Sequence, residues 1–409
     1  MSEWQDYKVQ EIALRMADAP FGSNIKNEDY TNDGAVVVQG KNIQGRNCVW
    51  NDVRYVSNEK YLSLKRHHAS LDALVFPKVG TIGKVGILTK NGDRENYLLS
   101  TNTMMLIPDP SKADIRYVYY FFSSNEVKSY INAISSNSVQ PVFNFTSLKN
   151  YNIPLPQLQT QKAIASILSS LDDKIDLLHS QNTTLERMAE TLFRQWFVED
   201  AQEDWSFVEL GDYVNCFNGV SYKSSELNPS KVAMVTLKSF DRNGGFRLDG
   251  FKEFTGRFKE QHIVVQGDLV VAHTDITQDA EVIGNPVLVV NDKRHENMVI
   301  SMDLVKVKSK HEWLSNEFLY RMMRTREFKE HCLGYSNGST VLHLSKQAIP
   351  SFEFFMPPKE KIQSYTEFAK DLFGKKFKNI EQILTIEKLR DNLLPKLMSG
   401  DVTIKNEVN

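Results

Sequence analysis

The stretch IASILSSLDDKIDLLHSQNTTLERMAETLFRQWF, from Ile164 to Phe197, runs for more than thirty residues without a glycine or a proline. Within it Ile164, Leu168, Leu171, Ile175, Leu178, Asn182, Leu185, Ala189, Leu192 and Trp196 recur at alternating steps of four and three. That is the seam spacing of a coiled coil. A lone helix with a single apolar stripe is not stable in water, because most helix stability comes from packing that stripe against something else. The chain must therefore supply or recruit a partner for this helix.

The partner is found by sliding the sequence along itself, since internal repeats decide architecture before local detail does. At a shift of 201 residues RENYLLSTNTM (from Arg94) lies over HENMVISMDLV (from His295), and VYYFFSSNEVKSY (from Val118) over LYRMMRTREFKEH (from Leu319). SSNSVQPVFNF (from Ser135) then lies over SNGSTVLHLSK (from Ser336), and Leu155-Pro156 over Met356-Pro357. Upstream the shift changes slightly: DALVFP (from Asp72) matches GDLVVA (from Gly267), and VVQGKNI (from Val37) matches MVTLKSF (from Met234). The chain reads as a tandem duplication, so the long helix has a twin. Its seam is Tyr365, Ala369, Leu372, Lys376, Asn379, Ile383, Ile386, Arg390, Leu393 and Leu397, less apolar than the first. Phe373 and Ile380 flank it as possible substitutes in the packing. Each helix follows a proline signal, IPLPQ or FFMPPKE. The first ends before EDAQEDW and the second at Ser399-Gly400, with Pro395 a late kink. Two stripes that face each other antiparallel solve the burial problem for both, and the apolar seam positions expected to carry it are Ile164, Leu168, Leu171, Ile175, Leu178, Leu185, Leu192, Leu372, Ile383, Ile386 and Leu393.

Ahead of each long helix stand short β-rich runs with Gly and Asn turns, such as GAVVVQG, LVFPKVG, HIVVQGDLVVA and NPVLVVN. One helix follows in each copy, Ile115 to Asn132 and Glu317 to His331. The expected fold class is α+β: two tandem-repeated mixed α/β units separated by two long helices that form an antiparallel coiled coil with pseudo-two-fold symmetry. The expected boundaries are residues 1–153 and 200–355 for the units and 154–199 and 356–402 for the helices.

Little in the chain suggests catalysis. A glycine-rich FxGxG-type loop with an (N/D)PP(Y/F) motif, expected of an adenosylmethionine-dependent amino-methyltransferase, is absent. So is GxxxxGK[ST], the phosphate loop of an ATPase. Glu126-Val127-Lys128 and Glu327-Phe328-Lys329 give the ExK fragment of a metal nuclease, but on amphipathic helices, where such pairs read as a solvated face. His67-His68 and His343 have no partner at ligand or triad spacing. Cys48, Cys216 and Cys332 lie far apart and read as buried reduced thiols, with no zinc site. No apolar run is long enough to span a membrane, and the polar N-terminus predicts no secretion signal; the expected location is the cytoplasm. A net charge of −2 argues weakly against nonspecific nucleic-acid binding, although a neutral chain can carry a basic stripe.

What recurs in both copies is a set of polar, loop-borne residues. FPKVGTIGKVG places Lys78, Thr81 and Lys84 on a glycine-rich turn whose backbone amides could approach a phosphate. AHTDITQDAEVIG offers His273, Thr274, Asp275, Thr277 and Gln278 at the equivalent place. Small-polar loops follow with Ser136, Asn137 and Gln140, then Ser336, Asn337 and Ser339. Lys41, Asn42 and Arg46 match Lys238, Ser239 and Arg242. These side chains are the inventory of phosphate contact and base-edge reading, and the argument rests on their repetition.

With these segments in view, NIPLPQLQTQKAIASILSSLDDKIDLLHSQNTTLERMAETLFRQWF resembles the central conserved region of Type I restriction–modification specificity subunits, and FFMPPKEKIQ with LRDNLLPKLMSGDV resembles their C-terminal conserved region. The resemblance implies that each unit is a target recognition domain reading one half of a split, asymmetric sequence in double-stranded DNA. It implies that the helix pair is a ruler for the spacer, on which two methyltransferase subunits dock and motor-nuclease restriction subunits join. This chain would then be non-catalytic and bind no cofactor, with adenosylmethionine, ATP and Mg held by those partners. Two other readings stay open from the residues alone: a coiled-coil scaffold for other proteins, and a self-contained DNA-modifying enzyme.

Overall fold

Valine, leucine and methionine runs of four to six residues, too short for helices and buried on both faces, dictate stacked sheets. The computed structural model describes residues 4–135, 142–202, 204–241, 244–277, 279–338 and 340–402. It divides into two units, residues 1–176 with 383–409 and residues 177–382.

In the first unit an antiparallel ribbon, Gln5–Lys8 with Asn152–Leu155, joins its two ends. A four-stranded sheet has the order Ala13–Ala17, Thr103–Pro108, Leu74–Pro77, Gly86–Ile87. A five-stranded sheet has the order Tyr30–Thr31, Arg54–Val56, Ala35–Val38, Tyr97–Leu99, His68–Ala69. Because successive side chains of a strand point to opposite faces, Leu74 and Phe76 pack with Tyr117, Phe122 and the long helices. Val75 turns the other way, onto Val36, Val38 and Leu99 of the second sheet. The remaining face of that sheet, Ala35, Val37 and Leu98, covers Ile25 and Tyr61. Phe76 meets Phe122 edge-on at 5.0 Å, an arrangement that adds about 1 kcal/mol to the area buried.

The second unit repeats this plan. Its ribbon is Ser206–Glu209 with Glu353–Met356. Its all-antiparallel sheet has the order Val214–Asn218, Leu304–Ser309, Leu269–Ala272, Pro286–Leu288. The duplication holds to the level of strand register. Thr103 faces Pro77 in the first unit and Leu304 faces Ala272 in the second. Val37 pairs in parallel with Leu98, and Met234 with Val299. A parallel pair inside a mostly antiparallel fold, at matching positions, is a topological signature of the repeat.

The single helix expected in each unit is two. The first is Ile115–Ser123 followed by Asn125–Ser135, and the second is Asn316–Met322 followed by Arg326–Gly334. Ser124 and Thr325 take extended backbone, and their hydroxyls accept from the amides of Val127 and Phe328. Serine and threonine offer the backbone this alternative to helix continuation, so each breaks the run by capping the next. The long helices are Leu158–Arg194, ending in a π-helical turn Gln195–Glu199, and Lys359–Ser399. The latter continues through Pro395 and stops where Gly400 adopts φ +78°, the left-handed helix stop that glycine favours. Cys48 and Cys332 are buried free thiols, both pushed up to about 12 by burial. Among the described residues no helix is long and apolar enough to cross a membrane.

Candidate nucleic-acid interface

Each unit holds one part of the pairing between the long helices. In the first, Ile164 and Leu168 share a core with Leu394, Leu397 and Met398. In the second, Ala189 and Phe193 share a core with Ile362, Tyr365, Ala369 and Phe373. In both, later residues of one helix meet earlier residues of the other, which is antiparallel packing. Of the seam residues, Ile164, Leu168, Ile175, Leu178 and Ile383 are buried, and Leu171, Leu185, Leu192, Leu372, Ile386 and Leu393 are half-buried.

The polar positions of the second seam are matched by polar groups of the first helix. Arg390 donates to Asp172 at 2.8 Å, and Tyr120 donates its hydroxyl to the same carboxylate at 2.6 Å. Asn379, fully buried, donates to Asn182 at 2.9 Å. Lys376 donates to Glu186 at 2.6 Å, and Glu186 also accepts from Tyr320 at 2.6 Å and Arg321 at 3.3 Å. Burial pushes the Glu186 carboxyl up, but Lys376, Tyr320 and Arg321 together hold it below the usual carboxylate range. A cation or carboxylate buried without its partner would destabilise a helix pair strongly, whereas these sets satisfy one another and fix the register. In each unit a tyrosine from the helix that follows the sheet thus joins the same carboxylate as the seam cation.

The first unit draws several sequence candidates into one place. Gly40 lies so close to the Lys78 turn that a β-carbon there would meet Pro77 at 3.4 Å and the Thr81 hydroxyl at 3.7 Å. The turn Gly40–Asn42, which carries Lys41, therefore abuts the turn that carries Lys78 and Thr81. Lys41 is exposed and pairs with Asp52; Thr81 and Lys84 are exposed. Asn42 is different: it is buried, accepting from the Gln39 amide at 2.9 Å and donating to the Val49 carbonyl at 3.0 Å, so it shapes the turn. Lys78 is tied to Asp18 at 2.8 Å. Arg46 is 17% exposed and lies between Asp173 at 2.6 Å and Asp176 at 2.8 Å on the first long helix, which makes it a brace between loop and helix.

In the second unit the strand Thr274–Asp275 pairs with Leu342–Leu344, which pairs in turn with Ser336–Asn337. His273, Thr274, Ser336 and Asn337 are so gathered on one small sheet. Thr274 is buried and donates to Asp303 at 3.1 Å, and Ser336 donates to the Leu333 carbonyl at 2.8 Å. Burial, with His343 and Lys346 nearby, pushes the His273 imidazole below its ordinary range, with Asp303 opposing. Lys238 and Thr277 face a recess of about 490 Å³. Ser136, Asn137, Gln140, Arg242, Gln278 and Ser339 lie outside the described residues.

Lys128 and Lys329, which superpose at the 201-residue shift, are not on a solvated face. Lys329 reaches under the loop after Ala272 and donates to the Ala280 and Ile283 carbonyls at 2.9 and 2.6 Å and to Asn285 at 2.9 Å. The backbone of Lys128 approaches the equivalent loop, its Cα and carbonyl oxygen each 3.6 Å from the β-carbon position of Gly83. Burial, then the neighbouring Arg390, holds its ammonium below the ordinary lysine range. Their recurrence at one position of both copies was the signal in the sequence that these lysines are more than surface charge.

A strand-rich unit is built twice on one plan, and each copy holds loop-borne polar residues and its own part of the long-helix pairing. A family model described as the Type I restriction modification DNA specificity domain matches residues 1–187. The MjaIX Type I restriction enzyme specificity subunit of Methanocaldococcus jannaschii is 24% identical, over 89% of this chain and 89% of its own length. The HindI specificity subunit of Haemophilus influenzae is 21% identical, over 98% of this chain and all of its own length. The crystal structure of a Type I restriction-modification S subunit from M. genitalium shares the fold, with a TM-score of 0.58 at 16% identity over 97% of this chain and 96% of that one. Over nearly its whole length the chain is thus similar to Type I restriction enzyme specificity subunits, and its first 187 residues match their DNA specificity domain.

Proposed function

We propose that this chain reads DNA for a Type I restriction–modification complex, each unit recognising one half of a bipartite, asymmetric target. The observation that carries the reading is a shared frame with unlike loops. The strands Leu74–Pro77 and Leu269–Ala272 sit at the same place in equivalent sheets. The loops that follow differ in length and chemistry: KVGTIGKV before Gly86 in the first unit, HTDITQDAEVIGN before Pro286 in the second. Equal frames present their loops in the same way, and unequal loops select different bases.

The helix pair then sets the distance between half-sites, and its exposed faces receive two methyltransferase subunits, with restriction subunits joining them. Helices of 37 and 41 residues are about 55 and 60 Å long at 1.5 Å per residue, more than the roughly 34 Å that separates major-groove sites one turn apart. The chain is non-catalytic in this reading and works in the cytoplasm; adenosylmethionine, ATP and Mg belong to the partners, which also add phosphate contacts to a chain of net charge −2. The test is co-expression with the methyltransferase subunit of the same system and mapping of methylated adenines across a genome. Two short half-sites around a fixed unspecified gap are expected. A stable complex that leaves DNA unmodified would favour the scaffold alternative.

A further inference from the structure

Ile276 is 75% exposed while its neighbour Asp275 is 2% exposed. Single exposed apolar side chains are ordinary and mean little alone. The mounting of this one is unusual. The Asp275 carboxylate accepts four hydrogen bonds: from the Thr277 amide at 2.8 Å, the Thr277 hydroxyl at 2.7 Å, and the amides of Val282 and Ile283 at 2.6 and 3.0 Å. On its other side Thr274 and Asp275 are paired in the small sheet with His343 and Leu342. Lys329 ties down the far end of the loop through Ala280 and Ile283. The backbone on both sides of Ile276 is thereby fixed, and the isoleucine cannot fold inward without breaking that set.

Ile276 lines the 490 Å³ recess together with Lys238, Thr277 and the Arg247–Asp249 pair. A rigid, branched, exposed apolar group is thus set among polar side chains suited to base edges. The base edges of the major groove carry a single apolar feature, the C5-methyl group of thymine. Counted from the equivalent strands, the same step in the first unit is Thr81, so the two units differ here. We propose that Ile276 is a specificity-determining residue that packs on a thymine methyl group in the half-site read by the second unit; this rests on the DNA-reading function above.

The test uses the complete methyltransferase complex of this chain, on duplexes in which each thymine of that half-site is replaced in turn by deoxyuridine. The wild-type complex is expected to lose about fourfold in kcat/KM at one position, the value of one buried methyl group. Ile276→Ala is expected to erase that difference, its kcat/KM on the thymine and uracil duplexes becoming equal. A half-site without an A·T pair, no thymine–uracil discrimination at any position, or a discrimination that survives in Ile276→Ala would each overturn the proposal. Loss of all methylation by Ile276→Ala on both duplexes would overturn it too, pointing to a wedge between bases. Failure of the wild-type complex to methylate any duplex would instead remove the DNA-reading function and the proposal with it.

Discussion

One heptad inserted into each long helix, between Leu178 and Asn182 and between Asn379 and Ile383, is expected to lengthen the unspecified gap and leave both half-sites unchanged. Seven residues keep the alternation of four and three, so the apolar seam stays in register on either side. Seven residues add about 10.5 Å of helix, or roughly three base pairs at 3.4 Å each. The pairs Asp172–Arg390 and Glu186–Lys376 lie outside the inserted segments, each within its own unit, and should form as before. Methylome mapping of the variant complex reads the result. A changed half-site would mean that the helices help to read bases. An unchanged gap would mean that something else measures it.

The second large effect concerns Arg46. Arg46→Glu should destabilise the first unit by about 2 kcal/mol, because it removes a mostly buried guanidinium and sets a carboxylate against Asp173 and Asp176, whose exposure to water screens part of the repulsion. For a unit of this size that corresponds to a fall in melting temperature of about 4–8 °C. Lys41→Glu is the contrasting case. Its partner Asp52 is 76% exposed, and exposed pairs contribute at most about 1 kcal/mol. Its melting temperature should hardly move, while DNA affinity drops and the salt dependence of binding falls by about one ion. Calorimetry on both variants separates brace from contact. Equal thermal stability of Arg46→Glu and wild type would contradict the assignment.

Arg46 also shows where the sequence was legible and where it was not. The seam and the duplication are periodic features, and periodicity survives in a linear string. A loop arginine looks the same whether it faces phosphate or reaches across to Asp173 on a helix more than a hundred residues away. Asn42 and Thr274 hid their buried hydrogen bonds for the same reason. The polar residues of the second seam read as a weakness because Asp172, Glu186 and Asn182 answer them only once the helices are antiparallel. Ser124 and Thr325 broke the expected helices by local capping, a signal present in the sequence but outweighed by the apolar pattern around it. Lys128 and Lys329 resembled solvated lysines until the loops above them were placed.

The most direct test of the central claim, that the two units read independently, is to replace residues 1–152 with the equivalent unit of a similar specificity subunit and map methylation by the resulting complex. The account predicts that one half-site changes while the other half-site and the gap stay as they were. A change in both half-sites would contradict it.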